Sequence, residues 1–527
     1  MKRVAALLLA LLLSAGLLAG CGGDAVNFVY YISDTITTLD PQLASTPAER
    51  TAVKNIFSGL YRLDADGIPQ PDMALTTDVS SDGLVYTFTL NTDNAFTDGD
   101  ELTQPVTAAD YVFALQRTLN PATGSPYAHS FLSISGAAAV LAGQADPTTL
   151  GVRAVSDNVL EITLSTPDDG LAAKLALPGA MPCNETFFES TAGAYGLSLK
   201  NVLTNGPFEA TAWSQANGLT LVRPDPANSK QINRVRLIPE DGEKTSAERL
   251  TQSLQDGALI TGGDSALNEA GYPSLEFETT TWMLVYNCTG AELSNLSVRQ
   301  ALSCTAQLNA QDLADYPYLH AATGLAPDGA ALLNGSSYRD TAGNVLPQQA
   351  EAQCYALYRL GLSELGIDRL SGLKVLLPDT APWDAVYATV NQRWQRTLSA
   401  FFSVETLPED EIRTRVAKGD FDIALLPVTM TASDTSLLFA QFLSGESSNL
   451  PQYTNPQFDN FVNTALAATS ANGQADALRS AETLLLSDAA VTPLAFQTNY
   501  FYLSPSLSGV VISPFGPVLD LTAAAED

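Results

Sequence analysis

The 527-residue chain has little of what metal and acid–base chemistry draws on: two histidines, His129 and His320, and five cysteines. Neither histidine lies in an H-E-x-x-H motif and no cysteines form a C-x-x-C pair, so no zinc ligand set is visible. G-x-S-x-G elbows, P-loops and G-x-G-x-x-G fingerprints are missing as well, which removes the sequence signatures of α/β-hydrolases, P-loop NTPases and dinucleotide enzymes. Ser371-Gly372-Leu373-Lys374 matches the S-x-x-K of penicillin-recognising enzymes, but the S-D-N and K-T-G elements that would support it are absent. Basic residues are scarce, with 26 Lys and Arg against 57 Asp and Glu and a formal charge of −31. Such a surplus repels phosphate backbones, so nucleic acid is excluded as a partner. Beyond residue 20 no run is apolar enough to cross a bilayer.

What is present begins at the amino terminus. Met1-Lys2-Arg3 precedes an uncharged apolar run over residues 4–18, the pattern of a secretory signal peptide over residues 1–20. It ends in Leu18-Ala19-Gly20-Cys21, which resembles a bacterial lipobox, so Cys21 is expected to carry a lipid and to begin the mature chain, with residues 21–26 as a tether. Loss of Lys2 and Arg3 takes the charge from −31 to −33, and 527 less 20 leaves 507 residues, enough for several domains. Export permits disulfides. Cys183, Cys288, Cys304 and Cys354 allow three complete pairings, or none if they are buried thiols.

The grammar of the mature chain is mixed α and β. Residues 84–90 alternate Leu84, Tyr86, Phe88 and Leu90 against Val85, Thr87 and Thr89 after a Ser81-Asp82-Gly83 turn, which predicts a half-buried strand. Over 107–119 Tyr111, Ala114, Leu115, Thr118 and Leu119 recur at helical spacing, between a Thr107/Asp110 capping pair and an Asn120-Pro121 stop. Further strands are expected at 159–164, 219–223 and 235–238, and helices at 245–254, 298–308, 350–365, 458–468 and 475–486. Asp64-Ala65-Asp66-Gly67 reads as a solvent turn rather than a calcium loop.

A series of ordered segments carries more information than any motif alone. It runs Thr38-Leu39-Asp40-Pro41-Gln42, Asn55-Ile56-Phe57-Ser58-Gly59-Leu60-Tyr61, Pro69-Gln70-Pro71-Asp72-Met73-Ala74, Phe96-Thr97-Asp98-Gly99 and Val106-Thr107-Ala108-Ala109-Asp110-Tyr111. It continues with Ser125-Pro126-Tyr127-Ala128, Leu203-Thr204-Asn205-Gly206-Pro207-Phe208, Val298-Arg299-Gln300-Ala301-Leu302, Gly419-Asp420-Phe421-Asp422, Asn455-Pro456-Gln457-Phe458-Asp459 and Pro514-Phe515-Gly516. Together these resemble the family 5 extracellular solute-binding proteins, the oligopeptide- and dipeptide-binding class, over nearly the whole mature chain.

The resemblance implies an α/β, two-lobed periplasmic-binding-protein-like fold with an extra domain in the first lobe and a hinge between lobes. Residues 27–65, 205–282 and 492–527 would form the core of lobe 1, 66–204 the extra domain and 283–491 lobe 2. It implies capture of a small solute, a peptide by default, and delivery to the permease of an ABC importer by a membrane-anchored monomer with no cofactor and no catalysis. Open alternatives are a surface receptor built on the same fold, and a hydrolase, for which no nucleophile and base can be assembled. Candidate ligand contacts are Ser45, Thr46, Tyr127, Asn205, Gly206, Trp282, Trp383, Asp384, Arg415, Met430 and Asp434. Peptide-binding members hold the ligand's amino group with an aspartate after the Gly-Asp-Phe-Asp strand. Here the anchoring position falls on Met430, which cannot pair with an ammonium, unless a four-residue gap brings in Asp434. Arg415 falls where peptide binders often carry an arginine that can face a ligand carboxylate, with a solvated helix-face arginine as the open alternative. Trp282, together with Trp383 and Asp384 in a loop over 378–384, falls where the family places cleft walls, with a place in the core as the alternative. The Cys304-Thr305-Ala306-Gln307 stretch departs from the family in a way expected to concern helix packing.

Overall fold

The computed structural model describes residues 26–65, 67–99, 103–333, 335–515 and 518–527, so Cys21 and the signal sequence lie outside the described residues, as does Gly516. In chain order the elements used below are β1 (Asn27–Ile32), α1 (Pro47–Ile56), α2 (Ala108–Leu119), β2 (Ser274–Tyr286), α3 (Leu296–Ala306), α4 (Glu351–Leu365), α5 (Trp383–Arg393), α6 (Glu409–Ala417), β3 (Ile423–Thr429), α7 (Thr435–Ala440) and β4 (Val491–Leu503).

Sequence signals place these elements closely. The alternating stretch forms Val85–Leu90, flanked in an antiparallel sheet by Ala74–Val79 and Val159–Thr163, with Phe88 and Leu90 turned into the core. α2 starts where expected, because the Asp110 carboxylate accepts from the Thr107 amide at 2.7 Å and hydroxyl at 2.9 Å. Three helices begin two to four residues earlier than expected, since Asn295, Asn455 and Ser470 cap α3, Pro456–Leu466 and Ala471–Ser487 through side-chain acceptors. The helix expected at 245–254 closes at Thr251, and Ser253 takes a left-handed φ of 53° just beyond it.

One 11-stranded sheet runs through the molecule in the order Glu209–Ser214, Gly218–Val222, Arg234–Pro239, β1, Gly257–Thr261, β4, β2, β3, Lys374–Pro378 and Ser403–Leu407, with Leu319–Ala321 added beside β4. β2 and β4 are 13 residues each and belong to both halves of it. The first half of β2 pairs with the second half of β4, which on its other side pairs with Gly257–Thr261, whereas the second half of β2 pairs with β3 and with the first half of β4. The exchange falls at a bulge between Glu278 and Thr280, and Thr279, left out of the ladder, is buried. Its carbonyl accepts from the Met430 amide at 2.9 Å and its hydroxyl donates to the Pro514 carbonyl at 3.2 Å.

Hydrophobic cores follow the same division. Phe28, Ile56, Phe208, Leu237 and Phe501 share one core and Phe88, Leu115, Phe131 and Leu160 a second beside it. Met283, Leu426, Phe439 and Leu478, with the neighbouring set of Trp282, Leu302, Trp394 and Leu425, fill the other half. The disulfide question is answered in part: Cys304 on α3 bonds Cys354 on α4, while Cys183 and Cys288 are free. The altered stretch that begins at Cys304 thus ties two packed helices together.

Candidate functional site

The site is built outward from the loop between β1 and α1. Asp40 is buried, and the Arg117 guanidinium on α2 grips it in a fork, with Nη2 2.6 Å from Oδ2 and Nη1 3.2 Å from Oδ1. The Asp40 carbonyl receives the Leu43 and Ala44 amides, so the loop turns tightly and the second core is stitched to the first. Ser45 and Thr46 then start α1. The Thr46 hydroxyl accepts from the Glu49 amide, and the Glu49 carboxylate accepts from the amides of Thr37, Ser45 and Thr46 and the Thr37 hydroxyl. With four donors on it, Glu49 is fully committed to the cap, and the next residue, Arg50, projects toward the opposite half.

There Arg50 donates from Nη1 to the Thr431 carbonyl at 3.1 Å, across the boundary between halves. It is 6 % exposed, and its buried Nε has no hydrogen-bond partner among the described residues. Asp34, half-buried on the same loop, has its carboxyl pushed up by burial and further by Glu409 and Glu49, against the pull of Arg50 and Arg413. Glu409 and Arg413 stand on α6 in the other half, ion-paired at 2.8 Å, and Arg413 also donates to the Pro427 carbonyl at 2.8 Å. Tyr127 stands beside this group, donating its hydroxyl to the Ala44 carbonyl, and burial raises its phenol above the ordinary range. A second contact between halves joins His129 Nε2 to Glu446 Oε1 at 3.4 Å. Burial lowers the imidazole and raises the carboxyl, so both groups are pressed toward their neutral forms.

The sequence candidates fall into three places. Ser45, Thr46 and Tyr127 surround Arg50 at the boundary. Trp282 and Trp383 stack with ring centres 4.0 Å apart near the strand crossing, and the Trp282 indole donates to Gln497 at 2.6 Å, which in turn donates to Asn499 at 2.9 Å. Trp383 opens α5 rather than sitting in a loop, and Asp384 is exposed in its first turn.

The remaining candidates do other work. Asn205 braces the end of α1, accepting from the Ser58 amide at 3.1 Å and donating to the Ser58 carbonyl at 2.9 Å. A Cβ on Gly206 would lie 2.4 Å from backbone atoms of Ile56 and Phe57, so only glycine allows that approach. Arg415 pairs with Glu405 at 3.1 Å and Asp420 at 3.4 Å, on the outer edge of the sheet. Met430 is 1 % exposed in the apolar core behind the boundary. Asp434 caps α7 and accepts from Gln474 at 2.9 Å.

Arg50, Asp34, Glu409, Arg413 and the His129–Glu446 pair were not among the sequence candidates. One signal for the first was legible: Thr46-Pro47-Ala48-Glu49 is a capping box with proline at the first helical position, which fixes Arg50 within the opening turn. The others depend on the approach of two distant chain segments. Both histidines contact carboxylates, His129 that of Glu446 and His320 that of Glu278 at 2.8 Å. Lys374 of the S-x-x-K match pairs with Glu405 at 2.7 Å. The arrangement can enclose and hydrogen-bond a guest between two halves.

Residues 69–449 match the family model described as bacterial extracellular solute-binding proteins, family 5 middle. A dipeptide-binding protein of Lactococcus lactis subsp. cremoris is 25% identical over 541 residues, covering 97% of both chains. The oligopeptide-binding protein OppA of Bacillus subtilis is 23% identical, over 91% of this chain and 89% of that one. A probable deoxycholate-binding periplasmic protein of Escherichia coli is 25% identical, over 90% and 88%. Among solved structures, Listeria monocytogenes OppA bound to peptide superposes with a TM-score of 0.81 at 23% identity, covering 95% of this chain and 99% of that one. The E. coli murein tripeptide-binding protein MppA gives 0.75 at 21% identity, and its unliganded open form 0.57 at 22%, covering 95% of this chain in both and 99% and 98% of those chains. The fold is that of the two-lobed solute-binding proteins.

Proposed function

Because the chain belongs to the bacterial extracellular solute-binding proteins of family 5, we propose that it captures a small solute outside the cytoplasm, a peptide by preference, and delivers it to the permease of an ABC importer. The observation that carries this reading is the pair of contacts between lobes, Arg50 to Thr431 and His129 to Glu446. Both need the lobes shut, while the lobes are linked by strands that exchange partners at the Thr279 bulge. Burying a ligand between them lets side chains from both lobes act on it at once, and affinity rather than rate acceleration is the product.

Cys21 anchors the mature chain to the outer face of the membrane through lipid, and the protein works as a monomer. We assign residues 66–204 to the extra domain and place the hinge at Thr279 and at Gln497–Thr498, a few residues from the 282/283 and 491/492 boundaries expected from the sequence. The position where peptide binders keep an aspartate for the ligand's amine holds Met430, buried in the lobe 2 core, and Asp434 is occupied as a helix cap. Peptides with free amino termini are therefore not bound through that acid. This favours, as a second reading, a cargo without an α-amine, of which the deoxycholate-binding relative gives a precedent within the family.

Mass spectrometry of the mature protein, purified without refolding, tests the carrier reading. A small peptide or other solute released intact is expected. Protein that arrives empty and retains no solute from a peptide mixture would overturn it.

A further inference from the structure

Arg50 is a buried cation whose obligations are unmet. Taking a guanidinium out of water is unfavourable unless its N–H groups and its charge find partners, and here one N–H donates to a neutral carbonyl while Nε is buried without a partner among the described residues. The nearby carboxylates do not supply the missing partner. Glu49 accepts four hydrogen bonds from the cap, Glu409 is paired with Arg413, and Asp34 acts on Arg50 through space without an ion pair among the described residues. Nε and the adjacent Nη2 form one edge of the guanidinium fork, the edge left free when Nη1 turns to Thr431.

We propose that this edge of Arg50 receives a carboxylate of the cargo. The inference rests on the carrier reading and names the chemistry it selects. A flat, singly charged carboxylate matches two parallel N–H groups in one plane. Asp34 lies close enough to act on Arg50, and its negative charge disfavours a doubly charged phosphate more than a singly charged carboxylate. Because Nη1 is held by the opposite lobe, a carboxylate on the Nε edge fixes the same group that bridges the lobes, so binding and closure reinforce each other.

The test offers the full mature chain two tripeptide libraries without Asp or Glu, one with free carboxyl termini and one amidated, and reads retention by native mass spectrometry. Wild type is expected to prefer the acids by about tenfold or more, as for a hydrogen bond to a charged group. Arg50→Met is expected to abolish the preference, and Arg50→Lys, which keeps a point charge without the fork, to keep part of it. The comparison in wild type needs no variant and stands even if Arg50→Met folds poorly. Equal retention of acids and amides by wild type, or an undiminished preference in a folded Arg50→Met protein, overturns the inference and leaves the carrier reading intact. Retention of neither library overturns the peptide reading and the inference together.

Discussion

Asp34 and Arg117 illustrate two fates of a charge taken out of water. Arg117 is compensated: it binds Asp40 through a fork, and its guanidinium lies 4.1 Å from the centre of the Phe188 ring. Replacing it by Met leaves a buried carboxylate without its cation, held only by the Gln42 amide at 3.1 Å, and a loss of about 3–5 kcal/mol is expected in denaturant unfolding. A loss below about 1 kcal/mol would mean that the pair is solvated in solution. Asp34 is under-compensated. Burial, with Glu409 and Glu49 adding to it, raises its carboxyl, so the closed protein holds that proton more readily than the unfolded chain does. The stability this gives is present at and below the ordinary carboxylate range and is lost as pH rises through the raised value. Asp34→Asn is therefore expected to raise the melting temperature near pH 7, with a gain that vanishes near pH 4. A gain of equal size at both pH values would contradict the assignment.

At the scale of elements, α3 and α4 show what the sequence made legible and what it hid. Both helices were readable from period and caps, but their contact was not, because nothing local ranks the cysteine pairings. In the structure the helices run antiparallel. Cys304 meets Cys354 at one end, and at the other a Cβ on Gly361 would lie 2.6 Å from Val298 Cγ2. The bond closes a loop across a separation of 50 residues, and reducing it is expected to cost about 2–4 kcal/mol. Reductant should lower the melting temperature of wild type and leave a Cys304→Ala/Cys354→Ala double variant unchanged. An unchanged wild-type melt would show that the bond does not form. β2 hid more than the helices did. Its second half, Trp282 to Tyr286, stands out as apolar, whereas its first half carries Ser274, Glu276 and Glu278 and offers no apolar run to find. That first half and the bulge after it are where the proposed hinge lies.

For the whole molecule, the order of motifs was enough to establish family and architecture, because turns and caps such as Asp40-Pro41 and Thr107/Asp110 are local and keep their physical roles. The site was less legible. Ser45, Thr46 and Tyr127 came together, but Arg50, Asp34, Glu409 and Arg413 act as a group only when residues some 380 positions apart face each other, as Arg50 and Thr431 do. A cleft that exists only on closure has no local signature. The account's central claim is that two lobes shut around a retained solute, and small-angle X-ray scattering tests it most directly. The mature protein is measured as purified, after its solute is stripped, and after the same solute is returned. The predicted result is a radius of gyration that rises on stripping and falls back on return, and superimposable curves in all three states would contradict it.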